Sequence, residues 1–195
     1  MKKTLKTTLI VTSLMTTLLA PLSHAANYVI DTKGAHASIN FKIKHLGYSW
    51  LTGRFDKFSG KFNYDADHVN DSKIEVNIDT TSVNTNHAER NKHLKSADFL
   101  EVNNFATAKF TSTNIIDKGN DKLEITGILS LHGISKNIVI DAVKIGEGKD
   151  PWGGYRVGFS GTTTLTLKDF AIKMDLGPAS SQVILTLNIE GVRVK

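Results

Sequence analysis

The first candidate for chemistry is a histidine within an aromatic segment, His45-Leu46-Gly47-Tyr48-Ser49-Trp50. His45 continues an alternating row of apolar residues that reaches Ile43, so its side chain is expected to point inward at the end of a strand. In one interpretation the imidazole is satisfied by a local hydrogen bond, which is the usual state of such a histidine. In the other it provides a polar group at the mouth of a cavity.

A second candidate is the polar segment from His87 to His93, whose composition indicates a short helix. Its two histidines and its glutamate suggest zinc, but residues six apart on a helix differ by about 240° and do not share a face. A solvated helix face is one interpretation of the segment. The other places Arg90 or His93 at the opening of a barrel, where a cation or hydrogen-bond donor could meet an anionic head group.

Aromatic side chains form the third group, because all nine phenylalanines follow residue 25 and most fall on inward rows. Core packing is the default interpretation, although a cavity lined by the same residues would have the same sequence pattern. The candidates for contact with an apolar ligand are Phe41, Phe55, Phe62, Phe99, Phe110 and Phe159. The segment Asp150-Pro151-Trp152-Gly153-Gly154 predicts a turn whose tryptophan anchors a hairpin loop.

Signatures of common enzyme classes are missing from the sequence, which contains no Gly-x-Gly-x-x-Gly loop, P-loop, nucleophile elbow or His-Glu-x-x-His motif. The absence of cysteine excludes disulfides, cysteine zinc sites and thiol nucleophiles. We therefore expect neither catalysis nor a cofactor or metal. An enzyme remains an alternative, with His45, His93 and Asp98 as its acid/base candidates.

The elements that must position these residues are predicted by an alternation of apolar and polar side chains, the pattern of half-buried strands. It recurs in eight runs, at 35–44, 51–64, 74–78, 106–110, 123–131, 138–142, 157–167 and 183–189. In the second run the apolar parity changes near Asp56 and Lys57, which indicates a bulge that bends the strand. Residues 86–95 predict one short helix, with Thr85 or Asn86 as its N-cap.

Strands with one apolar face need a fold that hides their edges. An eight-stranded barrel does so, and its interior is filled by side chains or holds one small ligand. A two-sheet sandwich fits the same periodicity, but the long alternations and the inward glycines at 53, 60, 127 and 161 favour the barrel. Those glycines relieve tight bends or leave room for something other than protein. The predicted fold is all-β, an eight-stranded antiparallel β-barrel with one short inserted helix.

Residues 1–25 have the pattern of a cleavable export signal, with three early lysines, an apolar stretch and small residues at Ser23 and Ala25. The stretch is too short and polar for a stable membrane anchor. Cleavage after Ala25 leaves residues 26–195 as one domain. Loss of the three lysines lowers the net charge from +5 to +2, so we expect no nucleic-acid partner.

Several longer strings have the character of a family signature. They are His45-Leu46-Gly47-Tyr48-Ser49-Trp50, Thr80-Thr81-Ser82-Val83, Asn86-His87-Ala88-Glu89-Arg90, His93-Leu94-Lys95-Ser96-Ala97-Asp98-Phe99-Leu100, Phe110-Thr111-Ser112-Thr113, Asp150-Pro151-Trp152-Gly153-Gly154 and Leu176-Gly177-Pro178-Ala179-Ser180. In these strings the sequence closely resembles the YceI family of bacterial periplasmic proteins. The resemblance covers essentially all of residues 26–195, in order.

The resemblance implies a lipocalin-like antiparallel β-barrel whose apolar interior binds a polyisoprenoid, an isoprenoid quinone or a fatty amphiphile. It also implies a periplasmic location, a link to envelope stress and no firmly established reaction. We expect a binding protein with His45, Arg90 and His93 at the mouth and the six phenylalanines along the chain of the ligand. The alternatives are an enzyme acting on such a lipid and a stress-related interaction module without a ligand. The oligomeric state is left open, with a dimer as one option.

Overall fold

A computed structural model describes residues 25–195, which form eleven β-strands and one α-helix. The predicted export signal therefore lies, except for Ala25, outside the described residues. The strands are β1 (Ala26–Ile30), β2 (Ser38–His45), β3 (Ser49–Phe55), β4 (Phe58–Tyr64), β5 (Lys73–Asp79), β6 (Val83–Asn84), β7 (Thr107–Asp117), β8 (Lys122–Leu131), β9 (Ile134–Lys149), β10 (Tyr155–Thr166) and β11 (Gln182–Arg193). The helix is α1 (Ala88–Leu94), and short 3₁₀ turns occupy Val69–Asp71, Thr80–Ser82, Leu167–Phe170 and Pro178–Ser180.

Alternation in the sequence becomes alternation in burial along the strands. In β8, for example, Leu123, Ile125 and Leu129 are buried, whereas the side chains between them are more exposed. The same period places a row of apolar residues from each strand on one face of the sheet. Removal of these rows from water is the main driving force for forming the sheet and curling it around its apolar face.

A pairing between β1 and β11 closes the sheet, with Tyr28 opposite Arg193. The order around the ring is β1-β4-β5-β7-β8-β9-β10-β11, and every pairing is antiparallel. The fold is therefore the predicted closed, eight-stranded, lipocalin-like barrel and not a two-sheet sandwich. Closure removes the exposed edges that an open sheet of these strands would carry.

Three breaks separate consecutive strands early in the chain; the one at 56–57 divides the predicted strand 51–64, whereas β1 and β6 lie outside the predicted runs. The interruptions fall at 31–37 between β1 and β2, at 56–57 between β3 and β4, and at Thr80–Ser82 between β5 and β6. The last two are joined by backbone hydrogen bonds from Asp56 N to Ser82 O (3.2 Å) and from Asp79 N to Lys57 O (3.0 Å). The predicted bulge near residue 56 is thus a break at which the strand changes partner, from β2 to β1.

The helix begins later than predicted. His87 is its N-cap, and His87 Nδ1 accepts a hydrogen bond from Arg90 N at 3.2 Å. The predicted N-cap, Thr85 or Asn86, is wrong because Asn86 has a positive φ of 59° and the Thr85 hydroxyl bonds to the side chain of Asn91. Within residues 25–195, none of the helices has the length and apolar character needed to cross a bilayer.

Inward glycines make room for aromatic rings of neighbouring strands. A Cβ at Gly127 would lie 2.6 Å from Cε2 of Phe110, and one at Gly191 would lie 2.6 Å from Cε1 of Phe62. The ring of Phe41 occupies the equivalent space at Gly53. The room left by these glycines is therefore filled by protein.

Candidate ligand-binding site

The inner chamber is a cavity of about 120 Å³ within the ring of eight strands. Phe62 stacks on Tyr28 with ring centroids 5.1 Å apart, and the edge of Phe159 meets Phe62 and Tyr64 at 5.9 and 5.3 Å. Burial raises the pKa of the Tyr28 and Tyr64 phenols, which therefore stay neutral at physiological pH. This half of the barrel is packed ring against ring and leaves a small internal space.

The outer chamber is larger, about 310 Å³, and is bounded by strands, α1 and the segment 167–176. Its volume lies at the lower end of the roughly 300–1,000 Å³ that ligand sites in proteins occupy. The two chambers adjoin, because Ile39, Ile78, Leu129 and Leu185 line both. Of the described residues that line the outer chamber, His45, Arg90 and His93 are the polar ones.

Arg90 is held at the chamber wall by the turn that precedes its helix. Arg90 Nε donates to Thr85 Oγ1 at 2.8 Å, and Arg90 Nη2 donates to Thr85 O at 2.7 Å. Asn91 fixes this turn, because Asn91 Oδ1 accepts hydrogen bonds from Thr85 N (2.8 Å) and Thr85 Oγ1 (2.7 Å). Within residues 25–195 no carboxylate forms an ion pair with Arg90, so its half-buried charge is available to a ligand.

His93 lies one turn further along α1. His93 Nε2 is 3.2 Å from Asp98 Oδ2, and its ring contacts Phe99 edge-on with centroids 5.0 Å apart. The side chains of His93 and Asp98 are 51% and 56% exposed, so the pair faces solvent at the mouth. His45 lines the same chamber but has no hydrogen bond to either residue in the described part of the chain. The three proposed acid/base residues therefore do not form one connected network.

All nine predicted ligand-binding residues line one of the two chambers. Phe62, Phe110 and Phe159 line the inner chamber. The outer chamber takes Phe41, His45, Phe55, Arg90, His93 and Phe99. That they contact a ligand stays a prediction.

Aliphatic side chains complete the lining and were not singled out from the sequence. Ile43 and Leu51 fall on the same alternating rows as Phe41 and Phe55, so the signal that identifies them was present. Ile172 and Leu176 come from a segment without regular alternation, where no pattern marks them. A non-periodic segment reaches the chamber through tertiary packing alone.

A separate cluster of charged side chains lies on the outer face beside the inner chamber. Arg156 donates to Asp31 Oδ2 (2.6 Å), Asp150 Oδ2 (2.9 Å) and Glu190 Oε1. These hydrogen bonds hold the pKa of the Asp31 and Asp150 carboxyls below their usual range. Asp31, His36 and Glu190 place their ligand atoms within 4.8 Å of one another, but the Arg156 guanidinium already donates to both carboxylates. The Arg156 guanidinium is thus the cation that the three carboxylates bind, and we assign the cluster a structural role.

The fold and the cavity together define a lipocalin-like antiparallel β-barrel with an apolar interior and polar groups at one end. Among barrels of this kind the chain belongs to the YceI-like domain family, whose model matches residues 28–191. The family resemblance drawn from the sequence strings is confirmed. The UPF0312 protein of Shewanella denitrificans is 58% identical over 193 residues, which cover 99% of this chain and all of the relative. A UPF0312 protein of Shewanella baltica is 58% identical over 194 residues, with the same coverage of the two chains.

Solved structures share the barrel. The YceI protein of Campylobacter jejuni is 30% identical, with a TM-score of 0.70 over 79% of this chain and 91% of the other. A polyisoprenoid binding domain from Saccharophagus degradans has a TM-score of 0.63 over 88% of this chain and 100% of that domain. Its identity is 16%, so this likeness shows the shared fold alone.

Proposed function

We propose that this protein binds a lipophilic molecule with an isoprenoid-like chain, held in the outer chamber with its end directed toward the inner one. The observation that carries the proposal is an apolar chamber of about 310 Å³ whose polar lining consists of two histidines and an arginine that has no carboxylate partner among residues 25–195. Family membership and the polyisoprenoid binding domain among the structural neighbours support the same ligand class.

Apolar burial supplies the affinity in this proposal. Each Å² of hydrocarbon surface removed from water contributes roughly 25 cal/mol, so an apolar wall retains a long chain without covalent or metal-based contacts. The adjoining inner chamber extends the apolar path beyond Leu129 and Leu185. Movement of the partly exposed Phe159 ring would lengthen the path further.

Arg90 supplies the head-group contact. A half-buried guanidinium that bonds only to a hydroxyl and a backbone carbonyl has donor capacity left for phosphate, carboxylate or quinone oxygens. His93 and His45 line the same mouth and add donors or acceptors beside it. We infer that the head group stays at this mouth while the chain enters the barrel.

We place the protein in the periplasm, on the pattern of residues 1–25, and regard an envelope-stress role as part of the proposal. A binding role is favoured over an enzymatic one, because His45 is not connected to the His93–Asp98 pair. The pair is also open to solvent, with both side chains about half exposed.

The test is uptake of a fluorescent prenyl probe by purified, delipidated protein, together with native mass spectrometry of protein isolated gently from its own envelope. We expect a co-purified lipid and saturable uptake. Phe41→Asp places a carboxylate in the outer chamber and should abolish uptake, because a hydrocarbon chain in the chamber would remove water from that unpaired charge at a large free-energy cost.

Ile145→Asp is the matched control, since Ile145 is 69% exposed on the outside of the barrel. It should leave uptake unchanged. Circular dichroism confirms that both variants fold. Unchanged uptake by folded Phe41→Asp, or the absence of both lipid and uptake in the unsubstituted protein, would contradict the proposal.

A further inference from the structure

Four large apolar side chains are exposed on the β2–β3 hairpin and on the segment packed against it, next to residues that line the outer chamber. We call Leu46, Tyr48 and Trp50 of the β2–β3 hairpin and Leu176 opposite them the rim; they are 49%, 88%, 50% and 41% exposed. Leu176 also lines the chamber, as does His45, the last residue of β2 before the hairpin turn. Single exposed apolar residues are ordinary on protein surfaces, but a group of them on neighbouring segments marks an interaction site.

The hairpin is held in this position by the turn that follows Leu176. Ser180 Oγ donates to Lys44 O at 2.7 Å and accepts a hydrogen bond from Leu46 N at 3.2 Å. Ser180 is 2% exposed, so both bonds are shielded from water. The rim is therefore presented to solvent by a fixed support.

Two lysines flank the rim on the outer face of the hairpin. Lys42 Nζ and Lys44 Nζ lie 4.9 and 5.8 Å from the Trp50 ring centroid. Neither has a carboxylate partner among the residues that the structure describes. Tryptophan, tyrosine and lysine in this combination are the residues that proteins place at the boundary between water and an anionic bilayer.

We infer that the rim docks on a bilayer with anionic head groups, with the mouth of the outer chamber toward the membrane. The apolar side chains enter the head-group region while Lys42 and Lys44 meet phosphates around it. This inference rests on the proposed function, because a lipophilic ligand then passes between bilayer and chamber without crossing water. A bilayer is favoured over a protein partner because the exposed apolar side chains and the two lysines lie together on the hairpin that also carries His45, a residue of the chamber wall.

The chain provides a built-in reporter for docking, since it has two tryptophans, Trp50 in the rim and Trp152 in the β9–β10 turn. Trp152 is 77% exposed and serves as the matched control. In Trp152→Phe, addition of vesicles containing phosphatidylglycerol should shift the emission of Trp50 to shorter wavelength. In Trp50→Phe the emission of Trp152 should not shift, and pure phosphatidylcholine vesicles should have little effect on either variant.

Vesicle flotation measures the contributions of the rim and its lysines. Replacement of Tyr48 and Trp50 by serine, or of Lys42 and Lys44 by glutamine, should weaken binding to phosphatidylglycerol vesicles at least about tenfold. Trp152→Ser should bind as the unsubstituted protein does. Full retention of vesicle binding by both double variants, or an equal loss in Trp152→Ser, would overturn the inference. Self-association of the protein through the rim, in place of vesicle binding, would overturn it as well.

Probe uptake from vesicle-free solution separates this inference from the proposed function. Rim variants that keep this uptake but take the probe from phosphatidylglycerol vesicles at least about tenfold more slowly support docking. If the unsubstituted protein takes up the probe but does not float with vesicles, docking fails and the binding function stands. If it floats with vesicles but takes up no probe, the binding function fails and docking stands.

Discussion

The two halves of the barrel each hold a partly buried arginine, and the two arginines differ in their partners. Arg156, beside the inner chamber, donates to Asp31, Asp150 and Glu190. Arg90, at the outer chamber, donates to the hydroxyl and carbonyl of Thr85. A cation surrounded by carboxylates fastens strands together, whereas one without a counter-charge retains capacity for a ligand.

The two chambers also differ in how closely their phenylalanine rings are packed. In the inner half, Phe62 and Phe110 are 7% and 6% exposed and their rings contact other protein atoms closely. In the outer half, Phe41 and Phe55 are only half-buried and their rings, 5.9 Å apart, border open space. Phenylalanines that follow one sequence pattern are thus packed against other side chains in one half and border the proposed binding chamber in the other.

The largest effect is expected from truncating an inner aromatic residue. Phe62→Ala should lower the free energy of unfolding by about 3–5 kcal/mol, since it removes a buried ring and leaves a cavity. Phe41→Ala should cost about 1–2 kcal/mol, because its half-buried ring has less contact to lose. Urea denaturation measures both values, and equal losses would contradict the division into a packed and a binding half.

A smaller effect is expected from the arginines. Arg156→Gln should lower the free energy of unfolding by about 2–3 kcal/mol, because Asp31 and its neighbouring carboxylates lose their counter-charge. Arg90→Gln should change it by less than about 1 kcal/mol. It should instead weaken binding of a prenyl phosphate probe about tenfold and leave an uncharged prenyl hydrocarbon unaffected.

Arg54→Gln is the control for both arginine variants, because its side chain is 61% exposed and pairs with Asp56 on the surface. It should shift neither stability nor affinity beyond about 0.5 kcal/mol. If Arg90→Gln weakened both probes equally, Arg90 would act through the shape of the chamber and not through its charge.

Glycine-to-alanine substitutions test whether the inner half is packed more tightly than the outer half. Gly127→Ala should destabilise by about 2 kcal/mol, because the new Cβ would meet the Phe110 ring and lie 2.5 Å from the backbone oxygen of Thr111. Gly53→Ala should cost less, about 1 kcal/mol, because the Phe41 ring has chamber space into which it can move and the nearest backbone oxygen, that of Asn84, is 2.9 Å from the new Cβ. Thermal unfolding compares the two, and a more harmful Gly53→Ala would show that the outer half is packed as tightly as the inner.

The smallest change near neutral pH is expected from protonation of Asp31. Its pKa is lowered in the folded protein by the hydrogen bond from Arg156, so its contribution to stability is complete above the unfolded pKa of about 3.9. The contribution declines as the pH falls below that value. Stability measured from pH 7 to pH 2 should show this loss, and Arg156→Gln should reduce its size. An unchanged acid profile in Arg156→Gln would contradict the assignment.

Most strands could be predicted because burial alternates along them, as it does in β7 and β8. The barrel was favoured over a sandwich by the long alternations, the inward glycines and the family resemblance, since periodicity fits both folds. The change of parity at Asp56 and Lys57 marked the position at which the predicted strand 51–64 divides into β3 and β4. The Arg156 cluster was missed because Asp31, Asp150 and Glu190 are brought together by strand pairing over more than a hundred residues, which no local pattern encodes. The segment 167–176 was missed as chamber wall because it follows no period.

Closure of the barrel joins the first and last described strands, since Tyr28 of β1 lies opposite Arg193 of β11. Pairing between residues so far apart in sequence carries a large loop-closure entropy and is typical of slow folding. During folding β1 can pair with β4 independently of the C-terminal part of the chain, but its second neighbour is β11, the last strand. Until β11 pairs with β1, the partly folded sheet presents unpaired strand edges, which favour association with other chains.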